Sequence, residues 1–245
     1  MAANEQLLSA VLHLGDNALI LGHRLGEWCG HGPVLEQDIA MTNIALDLIG
    51  QAKLYLEYAA ELEGKGNDAD HWAYKRDVLD FKNLLLVEVP NGDYADTIAR
   101  QFFFDQWHFL LLTEMSKSDN DRLREIAQKA IKEVTYHKRW SSEWVVRLGD
   151  GTAESKEKMQ RAIDEVWYYT GEMFMAADYE KGILPEGLKD QWMANVKAVI
   201  EEATLEMPTD EWMQSGGKTG NHTEYLGYIL AEMQFLPRAY PEATW

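Results

Sequence analysis

The run DIAMTNIALDLIGQAKLYLEYAAELE, residues 38–63, holds no proline and a single glycine, Gly50. Ile39, Ile44, Leu46, Leu48, Ile49, Leu54 and Leu56 spread around most of a helical circumference. A helix apolar on all sides is ordinarily a central, buried one. Within the same run Asn43, Asp47 and Gln51 recur every fourth residue and therefore stack on one face. A polar stripe on such a helix either meets solvent or points into the middle of a bundle, where metal sites are built.

Outward from this helix every segment with a clear period is helical. Residues 5–28 carry Leu7, Val11, Leu14, Leu21, Leu25 and Trp28 at mostly helical spacing, and Cys29-Gly30-His31-Gly32-Pro33 ends the run. Residues 70–89 predict a short helical piece with Phe81, Leu84, Leu85, Leu86 and Val87 buried. Longer helices are expected over about 94–116, 121–148 and 152–179, and a sixth opened by Pro185 and running to 207. A tail, 208–245, is expected to hold a flexible QSGGKTGNH stretch and then a short helix over 225–236. No alternating strand pattern and no internal repeat occurs. The expectation is an all-α bundle with short connections, residues 1–207 forming the domain and 208–245 packing on it.

Composition narrows the function. Lys and Arg total 23 against 41 Asp and Glu, a net charge of -18, so nucleic acid and anionic membranes are poor partners. A single cysteine, Cys29, permits no internal disulfide and suits a reducing cytoplasm. No apolar run approaches the roughly 18 residues of a membrane span, and the start of the chain lacks signal-peptide features. The sequon Asn221-His222-Thr223 is then a chance match.

Di-iron carboxylate bundles take a Glu from each of two helices and a Glu-x-x-His pair from each of two others. Glu-x-x-His occurs nowhere in this chain. Asp105-x-x-His108 offers the spacing with a shorter acid, and its ordinary reading is a satisfied core pair. Asp68-x-x-His71 sits at a loop border, where solvation is the ordinary reading. Glu133 and His137 share a face at i, i+4, the spacing of a common surface ion pair. The central helix adds Asp47 and Gln51, and a glutamine suits an iron pair poorly. Asp47, Asp105, His108, Glu133 and His137 are thus the candidate ligands of an active di-iron oxygenase, the alternative reading. Ser215-Gly216-Gly217-Lys218-Thr219 looks like the end of a phosphate loop, but Trp212 stands where that loop needs glycine and no strand precedes it.

The segments HRLGEWCGHGPVLEQD (23–38), NIALDLIGQA (43–52), NLLLVEVPNGDYADTIARQ (83–101), AIKEVTYHKRW (130–140) and GGKTGNHTEYLGYILAEMQ (216–234) resemble the PaaC-type structural subunits of phenylacetyl-CoA epoxidases. The resemblance runs almost end to end. It implies a ferritin-like fold and a metal-free assembly role beside a paralogous PaaA-type subunit that carries the di-iron centre and binds the CoA thioester. It further implies other epoxidase subunits and a reductase with flavin (FAD) and iron–sulfur groups that draws on NADPH. Ring 1,2-epoxidation of phenylacetyl-CoA, in aerobic phenylacetate breakdown, is the implied activity of the complex. Aligned on it, the Glu-x-x-His positions are Leu48-x-x-Gln51 and Val134-x-x-His137, so no metal, cofactor or catalytic residue is expected in this chain. Expressed alone, the chain is a candidate homo-oligomer.

Overall fold

A computed structural model describes residues 3–209 and 212–243; positions 210, 211, 244 and 245 of the expected tail lie outside the described residues. Among the described residues every regular element is helical. The long ones are α1 (Ala3–Gly26), α2 (Leu35–Glu63), α4 (Tyr94–Met115), α5 (Asp121–Gly149), α6 (Ala153–Trp167) and α7 (Lys189–Glu202). Shorter ones are α3 (Ala69–Tyr74), α8 (Glu224–Met233) and α9 (Phe235–Ala239). The chain divides into two compact units. The first comprises Met1–Glu88, Ala177–Ile183 and Gly216–Trp245, the second Val89–Ala176 and Leu184–Ser215.

The first unit is built on the hairpin of α1 and α2. Asn4 donates to the Leu62 carbonyl, Gly15 lies against Tyr55 and Leu56, and Gly22 lies against Ile49, so the two helices run antiparallel. A Cβ on Gly15 would come 3.0 Å from a Leu56 methyl, and one on Gly22 3.0 Å from a methyl of Ile49. The two glycines, seven apart, share a face of α1 and let α2 approach closely. Glycine also ends α2: Gly64 takes the left-handed conformation at φ 67° and its N–H closes on the Ala60 carbonyl.

Residues 69–88 bury Phe81, Leu84, Leu85, Leu86 and Val87, as their composition predicts. They do so through α3 and two 3-10 turns, Val78–Asp80 and Leu85–Glu88. Asp68 caps α3 by accepting from the His71 N–H, 2.8 Å. The segment is anchored by charge as well as by burial. Buried Arg76 grips buried Asp16 of α1 with its two terminal guanidinium nitrogens, and the Lys82 N–H adds a third bond to that carboxylate, 2.9 Å.

The second unit packs α4 against α5, α6 and α7. Each of its first three helices starts on a side-chain cap: Asp93 to the N–H groups of Ala95 and Asp96, Asn120 to Leu123, Thr152 to Ser155. Its core is aromatic: Phe103 packs on Trp167 and Trp192, and the Trp192 indole N–H finds the Phe103 carbonyl at 3.1 Å.

Three helix boundaries differ from the sequence expectation. The fifth long helix stops at Trp167, not 179, because Thr170 turns its hydroxyl onto the Trp167 carbonyl, 2.8 Å, and Met213 packs where a Cβ on Gly171 would stand. The next begins at Lys189 rather than at Pro185, since Gly187 between them takes φ 75°. It ends at Glu202, short of 207, where Thr204 adopts φ 57°. The stripe on α2 also divides: Asn43 is exposed, Asp47 half-buried and Gln51 buried. Nor is α2 buried all round, for Leu35, Ile39 and Leu46 stand in solvent.

Candidate functional site

The candidate residues of the second unit gather on the facing sides of α4 and α5. Asp105 is fully buried on α4. Its Oδ1 accepts from the Gln101 amide, one turn earlier, at 2.7 Å, and its Oδ2 accepts from the Ser141 hydroxyl of α5 at 2.8 Å. Burial pushes the carboxyl up to about 7; the nearby His137 and the two hydrogen bonds pull the other way without prevailing. His108, one turn after Asp105, does not bond it; its Nδ1 is buried without a hydrogen-bond partner. Burial, and then the neighbouring His137, hold His108 down at about 3, so it is neutral. Glu133 is half-buried, while Val134 and His137 are fully buried. The fold brings His137 of α5 near Asp105 and His108 of α4, but Gln101 and Ser141, not a histidine, hold the acid.

In the first unit Leu48 and Gln51 point the same way from α2, and both are buried. Tyr55, one turn further, is also buried, and its hydroxyl has no hydrogen-bond partner among the described residues. Burial raises its pKa well above the usual phenol value. Among the described residues no group of three or more His, Cys, Asp or Glu side chains forms a metal-binding arrangement.

A second polar cluster lies in the stretch expected to be a flexible loop, and that expectation is corrected. Lys218 is buried and places Nζ 2.9 Å from both carboxylate oxygens of Glu180. The Tyr179 hydroxyl donates to the Lys218 carbonyl, 3.1 Å, and His13 of α1 sets Nε2 3.6 Å from Glu180. His13 turns Nδ1 to the Lys82 carbonyl, 2.7 Å, and burial drives its pKa down to about 4. A Cβ on Gly217 would collide with the Asn83 carbonyl, so the backbone there is pressed into the unit. Further on, His222 bridges Glu88, 2.6 Å, and the Phe81 carbonyl, 2.9 Å. Burial lowers its pKa, but the Glu88 bond and charge and the Phe81 carbonyl outweigh that, and the net shift is upward. Glu88 also accepts from the Thr223 N–H and hydroxyl and from Asn83.

Compared with known proteins, the chain matches a family model, PaaA_PaaC, described as phenylacetic acid catabolic protein, over residues 1–245. The chain belongs to the phenylacetic acid catabolic protein family. Within that family its likeness is to the PaaC type: it is 51% identical to an Escherichia coli K12 protein named as the C subunit of 1,2-phenylacetyl-CoA epoxidase. The match spans 247 residues, 98% of this chain and 99% of the relative. The all-helical structure agrees with the ferritin-like class expected of this family.

For a member of this family the tail cluster is the part that sequence reasoning missed. One signal was available: Lys218 and His222 are i, i+4 in a Gly-rich stretch with no helical pattern. A lysine so placed, preceded by Gly216 and Gly217, has room to be drawn inward. What the sequence lacks is any local mark that its partner is Glu180, 38 residues away.

Proposed function

We propose that this chain is a non-catalytic structural and assembly subunit of a phenylacetyl-CoA epoxidase complex in aerobic phenylacetate breakdown. The observation that carries the reading is the chemistry at the positions aligned with the Glu-x-x-His pairs. Leu48 and Val134 are fully buried hydrocarbon and offer no donor atom. Burial of such groups favours the fold directly, by about 25 cal/mol per Å² of apolar surface, whereas clustered carboxylates without a metal would cost stability. Gln51 and His137 alone do not make an iron site. The donor set does not fit an iron pair, and no chemical step is assigned to this chain.

On this reading the cofactors lie elsewhere: di-iron in a paralogous PaaA-type subunit, and NADPH, FAD and iron–sulfur groups in the reductase. The chain's contribution is to hold the iron-bearing subunit in its assembled form, in the cytoplasm. That no helix among the described residues is long and apolar enough to cross a membrane is compatible with this.

The test is metal content and reconstitution. Protein made with ample iron is expected to carry well below one iron per chain. Omitting the chain from a reconstituted complex should abolish epoxidation of phenylacetyl-CoA. His137→Ala should leave turnover within a few-fold. A loss of ~10³-fold or more with the complex intact, the size expected on removing a catalytic group, would establish the alternative, an active di-iron oxygenase.

A further inference from the structure

The His222 side chain is buried just ahead of α8, and both of its ring nitrogens face acceptors. Nδ1 lies 2.6 Å from Glu88 Oε1, and Nε2 lies 2.9 Å from the Phe81 carbonyl. A main-chain carbonyl has no proton to give, so Nε2 must carry one. The Glu88 carboxyl is as constrained. Its Oε1 also accepts from the Asn83 amide, 2.8 Å, and its Oε2 from the Thr223 N–H, 2.8 Å, and the Thr223 hydroxyl, 2.6 Å. Three donors besides the histidine converge on it, the arrangement that favours an ionised carboxylate. A carboxylate only accepts, so Nδ1 carries a proton too. A ring that donates from both nitrogens is an imidazolium.

The same carboxylate starts α8. Thr223 is the residue before that helix, and its hydroxyl caps nothing within it; its N–H and hydroxyl both go to Glu88 instead. The charges on the surrounding elements are already engaged: Asp16 of α1 with Arg76, Arg24 of α1 with Glu27 and the Glu88 carbonyl, Glu180 with Lys218 and His13. Asp16 adds to the upward pull that Glu88 exerts on His222. Two further anchors flank the histidine. Lys218 is held by Glu180 before it, and beyond α8 the Gln234 amide donates to the Ala73 and Arg76 carbonyls.

We infer that His222 is a proton-dependent latch: as an imidazolium bonded to Glu88 and Phe81 it holds the start of α8 on the chain, and as pH rises and the proton leaves, that stretch loosens. A neutral ring can satisfy one acceptor and turns a lone pair on the other, which is costly where neither group meets water. The sign follows from linkage. The folded pKa is raised, so the latch contributes fully below the ordinary histidine value, about 6.5, and is lost as pH rises through the folded value. The loosening is local, because the Lys218 and Gln234 anchors stay in place on either side. The latch does not depend on the metal-free reading given above.

The experiment follows the full chain from pH 6 to 9.5 with 15N-labelled histidine, reading ring protonation by NMR and amide hydrogen exchange over 225–231, corrected for the intrinsic pH dependence of exchange. The His222 signal is assigned by its loss in His222→Gln. At pH 6 both ring nitrogens are expected to be protonated. Protection of 225–231 should then fall as His222 titrates, by about 10-fold for each unit by which its pKa exceeds the ordinary value. In His222→Gln protection should be lower at pH 6 and no longer follow this titration. In Glu88→Gln, folding checked by circular dichroism, the carboxylate is gone and burial is opposed only by Phe81 and Asp16. His222 should then bind its proton at least ~10-fold more weakly, the size of a one-unit shift. A wild-type ring with one protonated nitrogen at pH 6 overturns the proposal. So does protection that stays flat while His222 titrates, or a Glu88→Gln protein in which His222 titrates as in the wild type.

Discussion

The buried acids Asp16, Glu88 and Glu180 of the first compact unit and Asp105 of the second are held in different ways. The first buries formal charge and pairs it: Arg76 with Asp16, Lys218 with Glu180, His222 with Glu88. The second buries an acid at Asp105 whose hydrogen bonds come from neutral groups, an amide and a hydroxyl. The difference follows chain connectivity. The first unit is assembled from three separate pieces of sequence, and each ion pair ties together residues 38 to 134 positions apart. A directional, charge-assisted bond fixes such a junction more uniquely than apolar contact alone. The Asp105 network instead joins neighbouring elements: Gln101 is four residues away, and Ser141 lies on the next helix. There the acid can shed its charge by holding a proton.

If that contrast is right, the largest response belongs to the first unit. Lys218→Met keeps most of the side-chain volume and removes the charge, leaving Glu180 buried beside a neutral His13. Breaking a buried pair from one side costs about 3–5 kcal/mol, read as a fall in the urea midpoint. The double change Lys218→Met with Glu180→Gln should recover most of the loss. A single substitution costing under about 1 kcal/mol, the scale of an exposed pair, would remove the distinction between the units.

An intermediate response is expected at Ser141→Ala. It takes away the hydroxyl that donates to Asp105 Oδ2 and leaves a buried acceptor unsatisfied, which costs about 1–3 kcal/mol. The loss should be smaller at pH 5 than at pH 8, because a protonated acid tolerates the missing donor better than a carboxylate. A loss independent of pH would mean that Asp105 does not change its charge in that range.

Much of this was open to sequence reasoning, and the failures have a common cause. Helix existence was legible because periodicity and caps are local: Asp93, Asn120, Thr152 and Gly64 all act within a turn of their own position. The boundaries near 168–188 were not, because Met213 against Gly171 and the left-handed Gly187 are set by distant packing and local backbone conformation. The residue types at the aligned positions, Leu48, Gln51, Val134 and His137, are read straight from the sequence. Which group holds Asp105 was not legible: its spacing to His108 suggested a pair, and the partner turned out to be a serine of the neighbouring helix. The burial of Lys218 was invisible for the same reason, as its partner is remote in sequence.

The smallest effect is the sharpest test of the neutral-acid half of the comparison. Gln101 turns its amide nitrogen to Asp105, and its Oε1 is buried without a partner. A flip of that amide would let a protonated Asp105 donate to Oε1, while Ser141 still donates to the other oxygen. Asp105→Asn supplies a permanent donor of the same shape, so it mimics the protonated acid. At pH 5 the substitution should change stability by less than about 1 kcal/mol, the scale of one neutral hydrogen bond. The sign at higher pH follows from linkage. The folded pKa, about 7, lies above the ordinary carboxylate value, so between the two the folded state binds more protons than the unfolded one. The acid's contribution is therefore fully present below about 4 and is lost as pH rises through about 7. The new amide does not titrate, so the variant should gain on the wild type from pH 5 to about pH 7 and the difference should level off above that. Comparing the two proteins at each pH cancels the opposing titrations of His13 and His222. If the wild type instead gained on the variant with rising pH, Asp105 would be held as a carboxylate, as the acids of the first unit's ion pairs are.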